Sequence, residues 1–201
     1  MRTPLDMDAV GSLGLDARTP EQQRNVAAQL MAWADERHPA DAADVTPAFL
    51  LAEAGEILEI VGDHSAALAA YRRAAAAEGV VEPDVRCFLH RALVSVGDLP
   101  AARLLADEVR RSAPADLGVY AMVGETYEKS GDLSEAHRWL NLGLQQFGRS
   151  AGAGTDDLAL DLLLLTVVRR RIRRALGLPA DAAHRLAELT APGRGKNDGS
   201  R

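Results

Sequence analysis

The sequence predicts an all-α protein, a short right-handed α-solenoid of helical hairpins with capping helices. The first observation behind this prediction is a Gly-Asp pair that recurs at residues 62, 97 and 131, at intervals of 35 and 34 residues. The second is the composition, because aromatic residues are only 4% and alanine and leucine, which are strong helix formers, dominate the 47% of hydrophobic residues. The third is that each pair follows a segment of helical character about 14 residues long.

The N-terminal part of the chain predicts a leader followed by one helix. Residues 1–18 show no hydrophobic periodicity, which is typical of a flexible leader. Residues 19–38 predict an N-terminal capping helix, because Thr19 suits the N-cap, Pro20 suits the first turn and Gln22 completes a capping box. The apolar stripe of this helix must pack against another element, so we expect the helix to cover one end of the array.

Residues 47–150 predict three consecutive helical hairpins. Thr46 and Pro47 repeat the helix-start signal of the preceding segment. The glycine of each Gly-Asp pair can adopt the left-handed conformation that ends a helix. The next helix can then be capped by the aspartate, or by a serine two residues later such as Ser65 or Ser134. Each Gly-Asp pair is therefore predicted to be the tight turn of one hairpin.

Residues 151–191 predict a C-terminal helical hairpin, and residues 192–201 predict a disordered tail. Gly177 is the candidate turn residue of this hairpin. It follows Gly131 by 46 residues, so a fourth repeat would need a 12-residue insertion and would place Arg170 at the helix crossing. Two alternatives stay open, a degenerate fourth repeat and a cap that seals the exposed core.

The three hairpins share a pattern of small and large residues. When each turn glycine is counted as the fifteenth residue of its repeat, the repeats begin at Ala48, Pro83 and Leu117. Two helices can approach closely only where small residues stand at the crossing, and large residues then fill the flanks. The expected packing residues are Gly55, Ala67, Tyr71, Ala102, Gly124, Tyr127 and Ala136. At the crossings, we expect Gly55 to face Ala67 and Gly124 to face Ala136.

This period and pattern resemble the tetratricopeptide repeat (TPR) family, with three repeats over about residues 48–150. The resemblance implies a concave face that is lined by the first helix of each hairpin and binds a segment of another protein. The residues that it places on this face are Phe49, Glu56, Glu59, Ile60, Asp84, Cys87, Arg91, Val94, Glu125, Glu128 and Lys129.

The charges at these positions indicate the kind of partner. Acidic residues outnumber basic ones among them, which favours a basic or amphipathic partner over an acidic one. One TPR subfamily binds the acidic C-termini of chaperones with a clamp of lysine, asparagine and arginine. This chain has Ala52 and Glu56 at the corresponding positions, so we expect no such ligand.

Charge and motif content argue against several other functions. The net charge of −6 disfavours general nucleic-acid binding. Cys87 is the only cysteine, and the five histidines lack metal-ligand spacing, so we expect neither a disulfide nor a metal site. No catalytic constellation or phosphate loop is evident, so we expect a non-enzymatic protein without a cofactor. The longest apolar run is far below the roughly 20 residues of a membrane-spanning helix, so we expect a cytoplasmic protein without membrane contact.

Two single side chains have alternative interpretations. His90 stands where the TPR pattern has a small residue. It is either a hydrogen-bonded core residue in a slightly splayed hairpin or a pH-sensitive packing element. Cys87 is either a small groove or core residue or a reactive thiol, although no activating neighbour is visible in the sequence.

Three functional hypotheses follow. The first is a non-catalytic protein–protein interaction adaptor that binds a partner segment in an acidic concave groove. The second is a structural or regulatory module that forms a homodimer through the leucine-rich helix 158–168, a run that is equally consistent with a buried core helix. The third is a nucleic-acid-associated protein that uses Arg169–Arg174, although these arginines also complement the macrodipole of a helix that opens with Asp156 and Asp157. The sequence names neither the partner, the pathway nor the oligomeric state.

Overall fold

The computed structural model describes residues 2–150 and 156–182, and helices and the loops between them make up this part of the chain. It contains nine α-helices and no strand, which confirms the predicted all-α class. The disordered tail predicted at residues 192–201 and most of the last predicted helix lie outside the described residues. So do the side chains of residues 148–150 and 156–161.

The helices group into two compact units, unit 1 (Met1–Pro114) and unit 2 (Ala115–Arg201). The helices of unit 1 are α1 (Met7–Asp16), α2 (Pro20–Glu36), α3 (Pro47–Ile60), α4 (His64–Ala76), α5 (Val85–Ser95) and α6 (Leu99–Ser112). Those of unit 2 are α7 (Leu117–Lys129), α8 (Leu133–Ser150) and α9 (Asp156–Ala175). α2 and α3 begin at Pro20 and Pro47, where the sequence predicts the helix starts.

Short polar side chains cap the helices where the sequence predicts it. Thr19 and Gln22 form a complete capping box at the start of α2. The Thr46 hydroxyl accepts a hydrogen bond from the backbone N–H of Phe49 at the start of α3. At the Gly-Asp pairs the aspartate caps the following helix, as when Asp63 accepts from the N–H of Ala66. The alternative cap, the serine two residues later, is not used there.

The three Gly-Asp turns share one hydrogen-bond geometry. Each glycine has a positive φ, between 79° and 85°, and the N–H that follows it reaches back across the turn to the helix it ends. These 2.9 Å bonds run from Asp63 N to Leu58 O, from Asp98 N to Leu93 O and from Asp132 N to Tyr127 O. Gly177 has a φ of 68°, and Leu178 N donates to Arg173 O at the same 2.9 Å. The candidate fourth turn therefore has the geometry of the other three.

Glycine permits the close contact between α3 and α4 in the first hairpin. A Cβ on Gly55 would lie 2.7 Å from Cδ1 of Tyr71, a side chain with no exposed surface. The predicted close approach is thus present. The Tyr71 ring is nearest to Gly55, because this large residue, one helical turn beyond Ala67, reaches across to the α3 backbone.

The first hairpin of unit 2 repeats this arrangement with different side chains. A Cβ on Gly124 in α7 would lie 2.9 Å from Cγ of Leu140 in α8, and 3.5 Å from the carbonyl oxygen of Ala136. A further glycine in α8, Gly143, leaves room for Tyr120 and Leu165, since a Cβ there would lie 2.8 Å from Cβ of Tyr120. The sequence pattern did not single out this second crossing.

The N-terminal segment is ordered where the sequence predicted a loose leader. Asp6 caps α1, and Leu5 and Val10 are buried. The Arg2 guanidinium pairs with Asp41, whose carboxylate also accepts a 2.9 Å hydrogen bond from Leu5 N. Hydrogen bonding from Arg2 lowers the pKa of Asp41 to about 2. The prediction was wrong because this anchor joins residues far apart in sequence and leaves no local periodicity.

We predict that Gly55→Ala destabilises unit 1 by about 1–3 kcal/mol, because the added methyl group would overlap the Tyr71 ring. Gly11→Ala is the matched control, since nothing lies within 4 Å of a Cβ in the middle of α1. There the greater helix propensity of alanine should stabilise the fold by roughly 0.5–1 kcal/mol. Urea unfolding measures both changes, and equal effects of the two substitutions would contradict the close-contact assignment.

Candidate functional site

The side chains predicted for the groove in unit 1 come from α3 and α5 and differ in accessibility. Ile60 is 72% exposed. Six of the predicted side chains are half-buried, namely Phe49, Glu56, Glu59, Asp84, Arg91 and Val94. Cys87 is the exception, because it is fully buried and a partner cannot contact it in this conformation. This agrees with the core alternative for Cys87 and corrects its assignment as a contact residue.

A polar network joins three helices of unit 1. The Arg91 guanidinium on α5 donates to a carboxylate oxygen of Glu59 on α3, and at 3.2 Å to the hydroxyl of Tyr71 on α4. The Tyr71 hydroxyl donates to the same Glu59 oxygen at 2.9 Å. Arg91 also lies over the ring of Phe88, 5.2 Å from its centroid. The network fixes the positions of both charged groups and compensates the charge of Glu59.

The environment of Tyr71 keeps its hydroxyl protonated. Burial raises the pKa of Tyr71 far above its ordinary value, and the negative charge of Glu59 raises it further. The hydroxyl therefore remains a hydrogen-bond donor to Glu59 over the physiological pH range. Sequence reasoning assigned Tyr71 only a packing role, and its link to Glu59 is a result of the fold.

Glu56 lies on the same helix but is not part of this network. Among the described residues it has no ion pair, although Arg91 is close enough to influence it. Burial raises the pKa of Glu56, and the neighbouring carboxylates of Glu53 and Glu59 raise it further. The ionised form of Glu56 is therefore less well compensated than that of Glu59, and a cation brought near it would be stabilised.

Asp84 is occupied by a local contact at the start of α5. It caps the helix by accepting from Arg86 N at 2.9 Å, and the Arg86 guanidinium holds the same carboxylate, with one contact of 2.6 Å. Burial alone would raise the pKa of Asp84, but the hydrogen bonds from Arg86 outweigh burial and lower it. Asp84 thus contributes little free negative charge to the surface.

In unit 2, the acidic side chains of α7 meet an arginine of α9. Arg171 forms a two-bond contact with Glu128, at 2.6 Å and 2.5 Å, and this hydrogen bonding lowers the pKa of Glu128. Its guanidinium also lies 3.9 Å from Glu125. Lys129 is exposed at the end of the helix. The acidic positions predicted in this unit are therefore partly compensated within the unit.

The arginine run at the end of α9 is largely used in internal contacts. Arg169 is buried and donates to Asp181, with one contact of 2.6 Å, and to the side-chain oxygen of Asn141 at 2.7 Å. Arg173 is also buried and lies 3.3 Å from Asp181. In the described part of unit 2, only Arg170 and Arg174 of this run have no ion pair. The sequence did not reveal these partners.

The described part of the leucine-rich helix faces inward. Leu165 has no exposed surface, and Val168 is only 5% exposed. Leu164 differs, with 52% of its surface exposed. The side chains of residues 158–161 lie outside the described part. Within that part, buried and half-buried side chains outnumber exposed ones, which agrees with the core alternative.

His90 lies inside unit 1 with no exposed surface. Burial lowers its pKa from 6.5 to about 4, so the imidazole is neutral near pH 7. This environment is compatible with both interpretations of His90, because a core histidine and a pH-sensitive packing element both begin as a buried neutral ring.

Neither metal chemistry nor a membrane span is evident in the described residues. They hold no cluster of three or more metal-ligating side chains, and none of their helices has the length and apolar character needed to cross a bilayer. Comparisons with protein-family models, curated proteins and solved structures gave no match.

We predict that Arg91→Met destabilises unit 1 by about 1–3 kcal/mol, because Glu59, only 13% exposed at its side chain, would lose its cation. Methionine retains an aliphatic stem and limits the loss of packing. Arg72→Met, on the exposed surface of α4, is the control and should change stability by at most about 0.5 kcal/mol. Chemical denaturation gives both values, and similar losses would argue against the network.

We predict that His90 makes the fold less stable as the pH falls from about 6.5 to about 4. In this window the unfolded chain binds a proton at His90 and the folded protein does not, so acid favours unfolding. The cumulative effect is about 3 kcal/mol. It is absent above pH 6.5 and complete below pH 4.

Urea unfolding of the parent and His90→Gln at several pH values tests this dependence. The slope of unfolding free energy against pH should be smaller in the variant. Because other groups titrate equally in both proteins, their contribution cancels in the difference. Parallel curves would show that His90 does not carry the effect.

Proposed function

We propose that the protein is a non-catalytic protein–protein interaction adaptor built as a TPR-like α-solenoid. One observation carries the proposal: three hairpins turn on a positive-φ glycine with the same hydrogen bond across the turn, at a spacing of 35 and 34 residues. Such tandem hairpins expose the first helix of each repeat to partner segments. In this chain those helices are α3, α5 and α7.

The charges support a partner segment with at least one basic residue. Glu59, Asp84 and Glu128 already hold arginines of their own unit. Glu56 does not, and burial raises its pKa, so a lysine or arginine from a partner would satisfy a carboxylate that the fold leaves incompletely compensated. The exposed Ile60, on the same helix, could contact the apolar side of an amphipathic segment.

Self-association through α9 is the second candidate, and the exposed Leu164 is the observation that favours it. The inward packing of Leu165 and Val168 leaves less of the described helix for a dimer interface. The nucleic-acid hypothesis has weaker support, because Arg169, Arg171 and Arg173 are already paired with acidic residues. Concentration-dependent sedimentation separates the dimer from the adaptor, and it requires no partner.

We predict that a Glu56→Lys, Glu125→Lys double variant folds normally but loses its partner. Both positions lie at half-buried surface sites, so each substitution should change the free energy of unfolding by at most about 0.5 kcal/mol. The added lysines would repel a basic segment. A pull-down from the source cell's lysate, followed by identification of the captured proteins, compares the variant with the parent.

The matched control is Glu82→Lys, Glu108→Lys, which changes the net charge equally at two exposed sites outside the proposed groove. It should retain the partner. If the parent and both variants capture the same protein, Glu56 and Glu125 do not contribute to partner binding. Loss in both variants would indicate a dependence on net charge and would also count against the groove.

A further inference from the structure

A cavity of about 170 Å³ that is partly open to solvent lies between the end of α2, the loop after it and the start of α3. Its walls are both apolar and polar. They are formed by Trp33, Arg37, His38, Asp41, Ala42, Val45, Pro47 and Leu50. None of these positions belongs to the proposed groove, so the cavity is a separate feature of unit 1.

The negative charge in the cavity wall is already compensated. Asp41 accepts from the Arg2 guanidinium and from the backbone N–H groups of Leu5 at 2.9 Å and His38 at 3.3 Å. Hydrogen bonding from Arg2 holds the pKa of Asp41 at about 2, so the pair remains formed at neutral pH. Arg2 also lies over the Trp33 ring, 5.3 Å from its centroid. Arg2 thus contacts two residues of the cavity wall, Asp41 and Trp33.

The remaining polar side chains in the wall are hydrogen-bond donors. The N–H of Ala40 donates to Nδ1 of His38 at 3.2 Å, so the neutral imidazole carries its own proton on Nε2. Arg37 contributes a guanidinium whose one ion-pair partner in unit 1 is Glu78, at 2.8 Å. Both side chains of this pair are largely exposed, 60% and 76%, so the contact is weak. The cavity therefore offers donors and positive charge to a ligand.

Arg37 holds this position in an unfavourable backbone conformation. Its φ is 41° and its ψ is 129°, outside the small left-handed region open to side-chain-bearing residues. The described residues place glycine at four other positive-φ helix ends, Gly62, Gly97, Gly131 and Gly177, and alanine at one, Ala113. Glycine would relieve the strain at residue 37 but would remove the guanidinium.

We propose that the cavity binds a small monocarboxylate with one apolar group of about benzene size. The apolar group would lie against Trp33, Val45 and Leu50, and the carboxylate would accept hydrogen bonds from Arg37 and His38. The volume fits, because an engineered apolar cavity of about 150 Å³ holds one benzene molecule. The charge also fits, because Arg2 compensates Asp41 and leaves Arg37 as the accessible cation.

The test is a titration of the full chain with phenylacetate, followed in ¹H–¹⁵N spectra through the indole signals of the two tryptophans. The Trp33→Phe variant assigns the signals. Phenylacetate should shift the Trp33 indole and leave that of Trp139, which lies in unit 2, unchanged. A ligand of this size should bind with a dissociation constant on the order of 1 mM.

Two further probes separate the apolar and the anionic contributions. Phenylacetamide has the same ring but no charge, and it should bind about tenfold more weakly. Acetate has the charge but no ring, and it should not shift Trp33 at concentrations about tenfold above the dissociation constant of phenylacetate. Equal binding of phenylacetate and phenylacetamide would overturn the anion-binding role, and no shift with phenylacetate would overturn the site.

Variants test the role assigned to Arg37. Arg37→Gly should weaken phenylacetate binding about tenfold or more while leaving the unfolding midpoint unchanged or higher, since glycine accepts the backbone conformation. Glu78→Gln should tighten binding by up to about fivefold, because it releases Arg37 from its competing ion pair. Unchanged affinity in both variants, or a lower unfolding midpoint in Arg37→Gly, would overturn the proposal.

Ala113→Gly is the matched control for backbone strain. Ala113 ends α6 with a φ of 44° and does not line the cavity. Glycine there should raise the unfolding midpoint or leave it unchanged, with no effect on phenylacetate affinity. If this variant loses affinity as much as Arg37→Gly does, the effect is not due to the guanidinium and the proposal fails.

Discussion

The contact between Gly55 and Tyr71 is the constraint on which the rest of the first hairpin depends. Because Gly55 has no side chain, the Tyr71 ring lies directly on the backbone of α3. That position brings the Tyr71 hydroxyl within 2.9 Å of Glu59, and Arg91 from α5 reaches the same two groups. A packing requirement at one glycine thus determines where a polar network forms, and the network ties α5 to the first hairpin.

The helices and turns were predictable because their signals are local. Thr19, Thr46 and the Gly-Asp pairs act on backbone groups within a few residues, so the sequence pattern contains the whole interaction. The structure of the leader was not predictable from such local signals. The segment before its helix is held by Asp41, 39 residues after Arg2, and no periodicity within residues 1–18 could have revealed that partner. Gly143 was missed for a related reason, because its crossing with α9 is visible only once α8 and α9 are packed.

The sequence predicts which charged residues lie at the groove positions, but it does not show which of them are paired within the fold. Counting acidic positions treats every carboxylate as available to a partner. Asp84 could have been excluded from the sequence, since Arg86 is two residues away. Glu128 could not, because Arg171 follows it by 43 residues. Among the predicted groove positions, Glu56 is therefore the carboxylate that most favours a basic partner, because arginines of the same unit already pair with the others.

Glu56 and Arg37 occupy comparable situations of opposite sign. Most charged groups around them have partners within unit 1. Glu56 is instead partly buried without a paired cation, and Arg37 has only a weak, exposed ion pair. A ligand gains most from a group that the fold has not already compensated, because no internal contact must first be broken. The two sites therefore favour different ligands, a cationic side chain at Glu56 and a small anion at Arg37. Since neither ligand carries the charge that the other site requires, occupation of one site should not compete directly with occupation of the other.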